Sequence, residues 1–504
     1  MNRVPEQLWP RLLTEAWAAL DPSGPPDPSA LTDSPAAGDP SALADLLARD
    51  AGGAGRLPAG LEVAGLEVAG PPGRLPSRLP VEDTAIACAG AALLAAAAWQ
   101  VQRDARGGRP GPVWPAVRLD RGHVAAAFRS EAHVRLGAAA APAGFAPLSR
   151  FWRAADGWVR THANYPWHRE ALLRALGTTD DPESVAAVVA GLGAREVEDR
   201  VVGAGGVAAA VRTEAGWLAE PAGQAVAAAR LIEGGNIGAA PPRPHGAGAA
   251  PASDVRVLDL TRVIAGPVAT RYLAALGADV LRLDSPHLPE LPLQAYDGLL
   301  GKRSALLDLG TRDGNARLHD LLAAADVLVH GYRPHALDRF GLAPDSLAER
   351  HPGLVVVSLS AWGSAGPWGG RRGFDSIVQA ACGIAVAEWA GGDRPGAMPC
   401  QLLDHGTGYL CAAAALRALA AQRARGGTQV RELCLARTAH WLLSQERPAA
   451  APAAPDGTDP AWLATIGGAD GPVTVVRPPG QLDGHRMAWP PALTRYGSDP
   501  PAWR

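Results

Sequence analysis

The chain has 504 residues, 47% of them apolar, with 47 basic against 50 acidic side chains and a formal charge of −3. That length exceeds what one hydrophobic core ordinarily serves, so more than one structural unit is expected. Balanced charge without a long charged block gives no general attraction to nucleic acid or to a membrane surface, which leaves a small molecule as the expected partner.

The five cysteines, Cys88, Cys382, Cys400, Cys411 and Cys434, are scattered and lack CxxC spacing. They fit neither a disulfide framework nor a zinc site and are expected as reduced core residues, with no metal cofactor. The opening stretch MNRVPEQLWPRLL lacks a signal-peptide pattern, so the expected location is the cytoplasm. Ala, Gly, Pro and Arg dominate as in GC-rich bacterial coding, and Lys302 is the one lysine.

In chain order, residues 1–75 read as a helix followed by a loosely ordered Pro/Gly/Ala connector containing the tandem GLEVAGLEVAG. Residues 76–233 read as a second unit. Its apolar run TAIACAGAALLAAAAW (84–99) is too short for a membrane span and is expected as a buried helix. That helix belongs to a pattern written twice: an aspartate (Asp83, Asp404), an apolar helix, an arginine-bearing last turn, Gly-Gly, then a strand. FWRAADGWVRTHANYPWHREALLRALG (151–177) follows as a small α+β unit turning at Asp156-Gly157. Residues 234–253, rich in Gly and Pro, read as a linker.

From 254 to 445 the pattern changes to βαβ. VRVLDL (255–260), DVLRLD (279–284), RSALLDL (303–309), DVLVHGY (326–332) and GLVVVSLSAWG (353–363) are strands separated by helices, hence a parallel Rossmann-like sheet in an α/β fold. The turn after the first strand, TRVIAGP, has no GxGxxG, so the dinucleotide fingerprint is absent. Residues 446–504 are expected as an extension packed on this large domain.

Read together, VRVLDLTRVIAGPVATRYLAALGADVLRLD, GKRSALLDL, DVLVHGYRPHALDRFGL, LVVVSLSAWGSAGPWGGRRGFDSIVQAACG and DHGTGYLCAAAALRALAAQRARGG resemble the family III CoA transferases. This CaiB/BaiF group also includes α-methylacyl-CoA racemases. The resemblance implies a transferase that moves CoA between an acyl-CoA and a carboxylic acid, both small-molecule partners, through an aspartyl anhydride and an aspartyl-CoA thioester. It places the active aspartate at Asp404, thirty residues beyond the loop RRGFDS that holds Phe374 and Asp375. From the residues alone Asp404 is either a helix cap or a nucleophile; the resemblance favours the nucleophile. Gly406 and Gly408 would let substrate approach the helix start.

The resemblance also implicates Ile264, Ala265, Leu307, Gly331, Tyr332, Arg333, Arg339, Phe374 and Asp375 in holding CoA. Lys302, in GKRS, takes either a ligand-facing or a packing role. Two alternatives remain. One is a non-catalytic CoA-binding or scaffold descendant, suggested by the missing CoA half ahead of Asp83. The other is a 2-methylacyl-CoA racemase, disfavoured because Phe374 stands where a racemase has a proton-transferring histidine. The first half resembles the later part of a family member placed ahead of the earlier part. Family members form interlocked dimers, so the protein is expected as a homodimer or as a pseudo-dimeric monomer.

Overall fold

The computed structural model describes residues 8–21, 66–106, 114–137, 139–140, 144–246, 248–448 and 457–504. Most of the connector expected before residue 75, including the first LEVA of the tandem, lies outside the described residues. The second LEVA is a strand, Leu66–Ala69.

The large sheet follows from five short apolar, β-branched runs and a sixth after the Asp404 helix. Its parallel strands are β1 (Arg256–Leu260), β2 (Asp279–Asp284), β3 (Arg303–Leu306), β4 (Val327–His330), β5 (Val355–Ser360) and β6 (Thr428–Cys434). They lie in the spatial order 3-2-1-4-5-6, with helices in the crossovers. This is the doubly wound arrangement, and it reverses direction between β1 and β4, where a crevice opens beyond the strands' carboxyl ends.

Both edges of the sheet are covered. Beyond β6 runs an antiparallel strand, Glu233–Gly238, so the Gly-rich start of the expected linker is part of the sheet. Gly234 is required there, because a Cβ would stand 2.1 Å from the Val430 carbonyl oxygen. Beyond β3 the C-terminal segment takes the role: Asp499 N–H donates to the Ser304 carbonyl at 2.8 Å, and Ser304 N–H donates to the Asp499 carboxylate at 2.9 Å. Pairing with these segments leaves neither β3 nor β6 as an open edge. The same extension carries the strands Leu463–Gly468 and Gly471–Val476, the latter pairing with Arg135–Leu136 of the first half.

Two long helices form the centre, Val81–Arg106 and Leu402–Arg425. Alanine on nearly every face lets each be buried all round, as a core helix must be. They pack on each other so closely that a Cβ at Gly406 would meet the Cys88 sulfur at 3.3 Å. The first of them is long and apolar enough to cross a membrane by length and composition, yet 94% of its apolar window is buried inside the protein. One apolar core runs from Trp9 through both helices and the sheet to Leu482, so the two halves share an interior.

The small α+β unit is a three-stranded antiparallel sheet, Phe151–Arg153, Trp158–Thr161 and Ala208–Ala210, backed by helices Pro166–Leu176, Pro182–Ala190 and Ala194–Gly203. It has its own apolar cluster, around Trp152, Leu172 and Val197.

Candidate active site

Asp404 is the third residue of its helix and does not cap it. That work falls to Asp375, which is 1% exposed and whose carboxylate accepts the Asp404 N–H at 3.0 Å. The sequence spacing puts Asp375 at the start of the helix Asp375–Cys382, where Gln379, one turn on, donates to its other oxygen. The cap reading of Asp404 is therefore corrected. Its own carboxylate accepts no hydrogen bond among the described residues, and it lines a cavity of about 70 Å³.

Gly406 and Gly408 also play a different part from the one expected. At Gly408 a Cβ would come within 2.5 Å of the Ala265 carbonyl oxygen and 2.9 Å of the Val268 Cβ. The glycines seat the helix against its neighbours and do not open it to substrate.

The cavity joins both halves of the chain. Asp404, Asp375, Phe374 and Ile264 come from the large α/β unit; Glu131, Phe145, His162, Asn164 and Tyr165 come from the first half. Glu131, on the short helix Ser130–His133, faces the neighbour of Asp404: its carboxylate lies 3.0 Å from His405 Nε2. His405 is fully buried and is turned toward Glu131. His162 stacks flat on Phe374, ring centres 3.7 Å apart, and its Nδ1 has no partner. None of the first-half residues was marked as functional by the sequence. His162 comes to Phe374 only through the tertiary fold.

The electrostatics follow from this crowding. Burial, then the charges of Asp375 and Glu131, hold the Asp404 carboxyl well above the usual carboxylate range. Burial pushes Asp375 up to about 6 against the hydrogen bonds from Gln379 and the helix amides. Burial, helped by His168 and Arg160, keeps the His162 imidazole neutral.

The turn after β1 forms one wall. Val263 sits at φ 71°, a left-handed conformation that a β-branched residue adopts only under restraint. Glu290 supplies the restraint, accepting the Val263 N–H at 3.0 Å and the Tyr165 hydroxyl at 2.5 Å. Arg262 beside it lies over the rings of Tyr165 and Trp167. Beneath the turn the buried Lys302 ammonium donates to Asp259 at 2.9 Å and to Thr270 at 2.6 Å. Its role is packing, which leaves it unavailable to a ligand.

The residues expected to hold CoA are only partly brought together. Ile264 lines the Asp404 cavity, and Ala265 follows it as the first residue of the helix Ala265–Ala275. Gly331 adjoins them across the switch point, its N–H directed to the Leu260 carbonyl at 3.4 Å. Tyr332 and Arg333 line a neighbouring cavity of about 160 Å³ over the ends of β4 to β6. Leu307 follows β3, and its N–H donates to the Asp284 carbonyl. Arg339 is exposed with its guanidinium over the Phe340 ring, and it lines neither cavity. Arg372, which the sequence did not single out, is exposed; partial desolvation and then Arg333 lower its pKa. Arg333 donates to the Gly370 carbonyl, and neither arginine makes an ion pair among the described residues.

A doubly wound sheet and, beside its switch point, a buried carboxylate without a hydrogen-bond partner among the described residues define the class: an α/β protein with a cavity beyond its strand ends. Comparison with known proteins narrows it, since residues 253–461 match the model of CoA-transferase family III. A protein named a probable fatty acyl-CoA transferase, from Mycobacterium tuberculosis, is 34% identical over 37% of this chain and 51% of its own length. An acetyl-coenzyme A transferase of Hypoxylon pulicicidum is 33% identical over 38% of this chain and 34% of its own. A formyl-CoA:oxalate CoA-transferase of Streptomyces coelicolor is 34% identical over 33% of this chain and 43% of its own. The chain thus spans about half or less of the length of these curated relatives.

Proposed function

We propose that the protein is an acyl-CoA:carboxylate CoA-transferase with Asp404 as its nucleophile. The observation that carries this reading is the Asp404 carboxylate itself: it faces a cavity without a hydrogen-bond partner, while Asp375 caps its helix. A structural aspartate so buried would be expected to have partners.

In the proposed cycle, the ionised Asp404 attacks the thioester carbonyl of the donor, the C–S bond breaks, and CoA leaves as thiolate from a mixed anhydride. The thiolate then attacks the Asp404 carbonyl carbon and releases the donor acid, leaving an aspartyl-CoA thioester. The acceptor carboxylate repeats these two steps in reverse and departs as the new acyl-CoA. A carboxylate suits this exchange better than a hydroxyl, because the anhydride keeps the reactivity of the thioester where an ester would lose it. The nucleotide end of CoA would cross the switch point toward Tyr332 and Arg333. Arg372, adjacent to Arg333 and likewise free of an acidic partner, is apt for a phosphate.

Mass spectrometry of protein quenched during exchange with acyl-CoA tests the reading. The expected result is an adduct on the peptide holding Asp404, lost in Asp404→Asn. Tight CoA binding without exchange or adduct would instead favour a binding or scaffold role.

A further inference from the structure

The match to CoA-transferase family III leaves the acyl group open, since the relatives' names range from fatty acyl to acetyl and formyl. The cavity around Asp404 narrows it. Three carboxyl groups line this space, those of Glu131, Asp375 and Asp404, and no arginine or lysine does. Arg262, close by, is turned away: it donates to the Pro289 carbonyl and pairs with Glu290. The one basic ring in the wall, His162, is 5% exposed and stacked on Phe374. The buried Arg160 lies over the rings of Phe145 and Phe151 and is not part of the lining, so no lining side chain neutralises a second carboxylate on a substrate.

Size sets the other limit. A space of about 70 Å³ holds roughly five water-sized positions. The stacked Phe374–His162 pair, Phe145, Leu291, Val263 and Ile264 form the apolar part of its wall, and two lining residues, His162 and Ser376, carry a buried polar atom without a partner among the described residues.

We infer that the Asp404 cavity takes short, uncharged acyl groups of about five non-hydrogen atoms or fewer and rejects dicarboxylic acyl groups. The selectivity is by exclusion, because the carboxylates that surround the nucleophile repel a second negative charge brought into the same buried space. The inference rests on the transferase reading for its chemistry but makes its own statement about binding.

The experiment compares acetyl-, propionyl- and butyryl-CoA with succinyl- and octanoyl-CoA on the full chain, measuring exchange by mass spectrometry and binding by thermal shift against free CoA. The short neutral esters should raise Tm beyond CoA itself and exchange at least about 100-fold faster, as kcat/KM, than succinyl-CoA. Glu131→Gln should narrow that ratio by about tenfold, and Phe374→Ala should move the preferred chain length upward. Succinyl-CoA exchanged within about tenfold of propionyl-CoA, or octanoyl-CoA preferred over both, overturns the inference and leaves the transferase reading standing. If no ester is exchanged, the transferase reading falls, and the thermal-shift ranking alone decides whether the cavity excludes charge and length.

Discussion

Asp375 and Asp404 are 29 residues apart in sequence and joined by a single 3.0 Å hydrogen bond from backbone to carboxylate. The bond divides the labour, since one carboxylate satisfies the helix amide and the other is left to the cavity. Asp404→Asn keeps the shape of the side chain but cannot supply an anionic nucleophile. It should reduce exchange about a thousandfold or more while CoA still binds and the melting temperature holds. Because burial, Asp375 and Glu131 raise the Asp404 pKa, the nucleophilic fraction grows as pH rises through it, and kcat/KM should climb with pH. Asp375→Asn removes one of those charges, so the rising limb should move to lower pH; an unmoved limb would show that Asp404 does not control the rate. Stability follows the opposite sign. Asp375, near 6 when folded and near 3.8 when unfolded, favours the folded state at low pH, and this contribution is lost as pH rises through about 6. The Asn variant should lack that loss in urea titrations across pH 4–7.

The Asp404 helix can reach the switch point only because its first turns are narrow. Gly408→Ala would press a methyl group into the Ala265 carbonyl and Val268, backbone and branched side chain that cannot give way. It should destabilise by about 1–3 kcal/mol and lower activity in parallel; an unchanged denaturation midpoint would show that the helix has room to shift. At this scale much was legible in the sequence. The strands at 279–284 and 255–260, the helices led by Asp83 and Asp404, and the hairpin at Asp156-Gly157 are local patterns, and local patterns survive in sequence. The strand Glu233–Gly238 was hidden because its glycines serve close approach to Val430, which reads locally as linker. Glu131 was hidden for a different reason: its partner His405 is 274 residues away, and a single long-range contact leaves no periodic mark.

Over the whole molecule, the order of the halves matters more than either half. Strands Leu66–Ala69 and Val117–Asp120 are parallel, with the Asp83 helix between them, just as β5 and β6 are parallel around the Asp404 helix. Only the second set is backed by the four strands that build the switch point. The first half contributes instead by packing its helix against the Asp404 helix and by bringing Glu131 to His405. Its Ser130 hydroxyl donates to Asp297 at 2.9 Å and accepts from Arg271 at the same distance, a buried polar joint beside Glu131. We therefore expect each chain to hold a complete cavity. Mixing Asp404→Asn, which lacks the nucleophile, with Glu131→Arg, which puts a bulky cation into the cavity lining, tests this. In a site shared between two chains, refolding the variants together would return about a quarter of the sites to wild-type composition. With Glu131, His162 and Asp404 supplied by one chain, co-refolding should restore no exchange beyond the sum of the two variants, and recovery well above that sum would show that the cavity is completed by a second copy.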